Sequence, residues 1–179
     1  MIFSLVSKPP VSKASFFNMD KKWFSLVSTA IESRQKRIIN YYLEYPAGVT
    51  SDDIRNAEIK LGFELPSEMR SLLMEFNGIH EYTITDDGER LQVGSIIWNL
   101  ASIVEQHLLL TIPMKSKLFS FGGSVSGNSF GYLIVNDKPD ENQIWQSDHE
   151  TRFPDEQVIW RASSLREFIT TALTKSRWY

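Results

Sequence analysis

The stretch from Gly48 to Gly78, GVTSDDIRNAEIKLGFELPSEMRSLLMEFNG, constrains the chain more than any other, because it spells two helices, their caps and the turn between them. Thr50 or Ser51 caps the first helix, and Asp53 stands three residues after Thr50, the spacing of a capping box. Asp52 and Asp53 also suit the positive end of the helix dipole. Ile54, Ala57 and Leu61 fall at i, i+3 and i+7 and make one apolar face. Gly62 supplies the left-handed residue that ends a helix. Leu65-Pro66 opens a second helix, because proline fits the first turn and its predecessor avoids helix. Met69, Leu72, Leu73 and Phe76 form that helix's buried face, and Asn77-Gly78 predicts a left-handed stop.

The same residues carry a resemblance. An acidic helix start, Glu58, Leu61-Gly62, Leu65-Pro66 and Phe76-Asn77-Gly78 resemble the opening signature of the SUKH superfamily, the Smi/Knr-like domains, and the likeness runs on to about residue 170. The resemblance implies an α+β domain and brings no catalytic motif. It leaves two kinds of role open, bacterial toxin immunity and fungal cell-wall regulation.

Upstream, residues 20–44 read as one long helix capped by Asp20. Trp23, Val27, Ile31, Ile38, Tyr41 and Tyr42 make its broken apolar stripe, and Arg34, Lys36 and Arg37 make its other face basic. The stripe lapses at Arg34-Gln35, so packing on the following domain is the simpler expectation than membrane binding. Residues 1–19, with Pro9-Pro10 and many Ser and Lys, read as an arm, and Met19 offers an alternative start.

After Gly78 the period changes from helix to strand. Tyr82, Ile84, Leu91 and Val93 alternate around Asp86-Asp87-Gly88, which predicts a hairpin. Ser95 to Trp98 extends a strand, and Asn99 caps a short helix with Ile103, Val104 and His107 on its inner side. Further strands are expected at Leu118–Phe121, Phe130–Val135, Ile144–Ser147 and Val158–Ala162. Ser164 and Glu167 then form a capping box, and Leu165, Phe168, Ile169, Ala172 and Leu173 the inner face of a last helix. Helices, then strands, then a helix give an α+β fold: a mixed, mainly antiparallel sheet with helices packed on one side. The expected domain covers residues 46–176, behind an arm and amphipathic helix over 1–45.

Charge limits the function. Residues 75–156 hold thirteen Asp/Glu against five Lys/Arg, net −8, whereas residues 1–45 hold three against seven, net +4. An acidic region repels phosphate backbones, so no nucleic-acid partner is expected, and it suits a basic protein instead. Solubility alone explains such a surface equally well. The absence of cysteine removes disulfides, thiolate catalysis and cysteine–zinc sites. No apolar run approaches the ~20 residues of a membrane span, and the Met-Ile-Phe-Ser-Leu-Val start lacks a basic leader. A cytoplasmic protein is expected.

The chemical motifs fail on detail. The glycine-rich loop at 122–127 holds no lysine and leads into a strand, whereas phosphate loops open helices. A hairpin needing positive φ at Gly127 or Asn128 explains it better. Gly123-Ser124-Val125-Ser126-Gly127 puts Val125 where a nucleophile elbow has its serine. Asp148, His149 and Glu150 alternate across a strand and do not converge on one metal ion. No cofactor, metal or catalytic residue is expected. Trp98, Trp145 and Trp160 lie in apolar runs and read as core, while Trp178-Tyr179 reads as an exposed contact.

These features lead to a non-enzymatic protein-binding domain. The resemblance implies an immunity protein that neutralises a cognate bacterial toxin, the acidic region suits a basic toxin domain, and an intracellular scaffold or cell-wall-type regulator is the alternative. A small hydrolase using Asp148-His149 is the third reading. The expected partner-binding residues are the loop acids Asp86, Asp87 and Glu89 in the hairpin turn, and Asp148, Glu150, Asp155 and Glu156 in the late connection.

Overall fold

The computed structural model describes residues 22–35, 40–110, 118–148 and 158–174. The described residues form five helices and an antiparallel sheet. The helices are α1 (Lys22–Gln35), α2 (Ser51–Leu61), α3 (Ser67–Glu75), α4 (Leu100–Leu110) and α5 (Leu165–Thr174). The strands are β1 (Tyr41–Glu44), β2 (Ile79–Ile84), β3 (Arg90–Ile97), β4 (Leu118–Gly123), β5 (Ser129–Val135), β6 (Lys138–Pro139), β7 (Ile144–Ser147) and β8 (Val158–Ala162). The spatial order is β1-β2-β3-β4-β5-β7-β8, with β6 paired to β5, and every pairing among the described residues is antiparallel.

The helical pair forms as its sequence dictates. The Thr50 hydroxyl accepts the Asp53 N–H at 3.2 Å, and the Asp53 carboxylate accepts the Thr50 N–H at 2.9 Å. Gly62 ends α2 with φ +81°. Glu58 then reaches over the turn, accepting the Leu65 N–H at 2.9 Å and pairing with Arg70 at 2.7 Å. Met69, Leu72, Leu73 and Phe76 are all buried, as their spacing predicts. The stop of α3 differs from expectation. The helix ends at Phe76 in an extended conformation, because Phe76 bridges Ala47 and the Asn77 N–H bonds the Pro46 carbonyl at 3.1 Å. Gly78 does carry positive φ, at +106°, and turns the chain into β2. A Cβ there would lie 2.9 Å from His80 Nε2 and 3.0 Å from the Ile97 carbonyl oxygen.

The long helix expected over 20–44 is two elements. Helix α1 is described over Lys22–Gln35, and Tyr41 and Tyr42 belong to β1, which pairs Tyr41 with Thr83 and Glu44 with His80. Partnership with β2 overrides the helical stripe, since a strand satisfies its backbone only through a neighbour and Tyr41 is drawn in by the buried carboxylate of Glu81, to which its hydroxyl donates. Asp20, Lys36, Arg37 and Ile38 lie outside the described residues, as do residues 1–19 and Trp178-Tyr179.

Helix N-termini leave N–H groups without intrahelical partners. Several are met from far along the chain. Glu75 accepts the Trp23 and Phe24 N–H groups at 3.1 and 2.7 Å, and Glu141 accepts the Ser67 N–H at 3.0 Å. Asn77 accepts the Leu100 N–H at 2.8 Å. At α5, Ser164 accepts the Glu167 N–H at 3.1 Å, as expected, but the Glu167 carboxylate reaches Ser163 instead of closing the box on Ser164. One core then joins Trp23 and Val27 of α1, the α2–α3 faces, Phe119 and Phe121 of β4, and Phe168 and Ile169 of α5.

Trp160 corrects one core assignment. It is 49% exposed, because β8 is the last strand of the sheet and has a neighbour on one side only. Trp98 and Trp145 are partly buried.

Candidate functional site

Strand register decides which polar side chains meet. In β1, β2 and β3, Glu44 stands opposite His80 and His80 opposite Ser95, while Tyr42 stands opposite Tyr82 and Tyr82 opposite Gln92. Side chains alternate along a strand, so these two rows share one face of the sheet. The buried residues Ile79 and Glu81 take the other.

The two rows are joined by a chain of hydrogen bonds. The Tyr82 hydroxyl donates to Gln92 Oε1 at 3.3 Å, and Gln92 Nε2 donates to Ser95 Oγ at 2.9 Å. Ser95 Oγ lies 2.9 Å from His80 Nδ1. Ser95 Oγ has room for a second bond beside the one from Gln92, and whether it donates to His80 Nδ1 or accepts from it depends on the imidazole tautomer. Burial holds the His80 pKa below the ordinary imidazole range, against an opposing pull from the Glu44 carboxylate. Burial thus favours the neutral imidazole over the charged one.

An arginine closes the outer end of the rows. Arg90 pairs with Glu44 and lies over the Tyr82 ring, 3.7 Å from its centroid, and Tyr82 stacks on Tyr42 at 5.5 Å. The Glu44 charge is thus answered on the spot. The opposite wall is one face of α4, carrying Asn99, Ser102 and Gln106. Asn99 Oδ1 accepts the Ser102 N–H at 2.9 Å, the cap expected from sequence. Trp98 adds an aromatic surface to the recess and packs so closely on Gly123 that a Cβ there would lie 3.1 Å from the indole. The walls enclose an open recess of about 690 Å³.

Chemically, the Ser95–His80 pair is a link in a hydrogen-bonded chain and lacks the setting of a primed nucleophile. Ser95 is 6% exposed and already accepts from Gln92, and Glu44, the carboxylate beside His80, is held by Arg90. Ser126, on the β4–β5 turn, bonds only Ser124 at 2.7 Å, and Gly127 there has φ +90°, so the glycine-rich stretch is a hairpin turn. His149 lies outside the described residues. Among the described residues, no group of three His, Cys, Asp or Glu side chains is placed to hold a metal ion, and no helix is long and apolar enough to cross a membrane.

The loop acids expected to bind a partner are placed as follows. Asp86, Asp87 and Glu89 are exposed on the β2–β3 turn. The Thr85 hydroxyl donates to Asp87 and holds its carboxyl below the usual range, with the Glu89 N–H helping. Asp148 is half-buried just after β7, at the same end of the sheet as that turn, with β4 and β5 between them. Glu150, Asp155 and Glu156 lie outside the described residues. Sequence reasoning passed over the His80–Ser95–Gln92 row because its members come together only through register. The one signal that could have found part of it is strand alternation, since His80 and Tyr82 are two residues apart and so share a face of β2.

Fold and site together define an α+β domain in which helices back an antiparallel sheet and the sheet presents a polar recess. The sequence model of the SMI1 / KNR4 family (SUKH-1) matches residues 48–171, and the chain belongs to that family. No curated protein matches the chain.

Proposed function

We propose that this chain is a non-enzymatic protein-binding domain, an immunity protein that neutralises a cognate bacterial toxin with a basic active domain. The observation that carries the reading is the charge imbalance of residues 75–156, net −8 from thirteen acids and five bases, within a family-matched domain. Some of those acids serve the fold: Glu75 and Glu141 cap helices and Glu81 is buried. Asp86, Asp87 and Glu89 remain exposed on one turn and supply a field for a basic partner. Toxins that attack nucleic acid present basic tracks, and an acidic inhibitor imitates the phosphates they follow. The test is to look for a toxin gene immediately upstream and to express its product together with this chain. The chain should co-purify with that toxin and restore growth, and a toxin that neither binds nor is neutralised overturns the reading. In that case a pull-down from the native cell, followed by identification of the bound protein, tests the regulator alternative.

A further inference from the structure

The recess over β1–β3 plays no part in the acidic-turn reading, yet its chemistry is specific. Its one lining carboxylate, Glu44, is paired with Arg90, and burial disfavours the charged form of His80, so the lining presents no unanswered charge. A phosphate or ammonium entering it would give up hydration with no opposite charge to replace it. What the recess does offer is a mixed set of donors and acceptors on Gln92, Ser102 and Gln106, together with the His80 imidazole and the Trp98 ring.

Position adds a second constraint. The recess lies at the foot of the β2–β3 hairpin whose tip carries Asp86, Asp87 and Glu89, and Gln92 is three residues from Glu89, ~10 Å along the strand. Tyr82 and Arg90 stand between the two, and Tyr and Arg are the residue types that dominate interface energetics. A small neutral solute would fill the recess and ignore the tip. A polypeptide uses both.

We infer that the recess seats a neutral, polar loop of the protein partner, rich in Ser, Thr, Asn, Gln or Gly, while basic residues flanking that loop contact the acidic hairpin tip. This rests on the protein-binding reading above and assigns it a seat: uncharged hydrogen bonding in the recess fixes the loop, and the tip steers it in.

The test uses the whole chain and two phage-displayed libraries of short neutral-polar peptides, one flanked by Lys-Lys and the other by Glu-Glu. Lys-flanked peptides should enrich. They should bind Ser102→Trp and Gln106→Trp, two independent fillings of the recess, about tenfold more weakly or worse. Asp86→Lys/Glu89→Lys should lower their association rate and its salt dependence. Circular dichroism confirms that each variant is folded, and on the unmodified chain the bound peptide should shift the Trp98 indole N–H resonance. Enrichment of the Glu-flanked library, equal binding to both filled variants, no enrichment at all, or occupation of the recess by neutral oligosaccharides instead of peptide overturns the inference. Protection against the toxin is measured separately. Filled variants that still protect cells overturn the seat and leave the immunity reading standing, whereas an unmodified chain that fails to protect removes that reading.

Discussion

The carboxylate of Glu68, in the first turn of α3, accepts the backbone N–H of Leu165, at the start of α5, at 2.8 Å across 97 residues of chain. The same oxygen accepts the Arg166 N–H at 3.3 Å. One side chain thus ties the family's opening helical pair to its closing helix. Because the site is partly buried, water is a poor substitute for the acceptor. Glu68→Ala should lower stability by ~1–2 kcal/mol in urea unfolding, while Glu68→Gln, which keeps an acceptor, should lose less. Equal losses for the two variants would mean that bulk, not the hydrogen bond, is what matters.

Gly78 holds φ +106° with the Ile97 carbonyl 3.0 Å from where a Cβ would stand. Gly78→Val combines backbone strain with a backbone clash and should destabilise by ~1–3 kcal/mol. An unchanged melting temperature would refute this.

Phe76 is 2% exposed and packs between Phe24 and Tyr45. Phe76→Ala should cost ~3–5 kcal/mol, read as a lower denaturation midpoint at constant m-value. A loss well under that range would show that the α1 contacts close over the cavity.

His80 and His107 both sit below the ordinary imidazole range through burial. The unfolded chain therefore binds these protons more readily than the folded one. Stability is full above the unfolded pKa of ~6.5 and falls as pH drops through that value. His80→Gln should flatten the fall between about pH 7 and pH 5, leaving the part due to His107. Unfolding curves across that window decide it. A native protein that gains stability on acidification there would contradict the sign.

Asp86 and Glu89 are exposed, so reversing both to Lys should leave the melting curve almost unchanged, within ~0.5 kcal/mol. The same change should slow association with a basic partner and do so less as salt rises, because exposed charges act mainly on the encounter rate. Stopped-flow kinetics at several ionic strengths measure it. A native association rate indifferent to salt places the interface away from the hairpin tip.

What the sequence determined by itself was local. Thr50 with Asp53, Gly62, Leu65-Pro66, and the spacing of Met69, Leu72, Leu73 and Phe76 set α2, its turn and α3, because caps and helical periodicity act within a few residues of themselves. The β2–β3 hairpin was legible for the same reason, and so was the inner face of α5. Tertiary structure decided the rest. Tyr41 and Tyr42 fit a helical stripe until β2 offered them a partner, and only then did Glu44, His80 and Ser95 stand in one row. Trp160 reads as core in its run but lies on an edge strand, and Glu68 and Glu75, which no local motif marks, cap α5 and α1. The physical reason is common to all of these. Strand register and remote capping join residues that are distant in the chain, so no window of sequence contains both halves of the interaction.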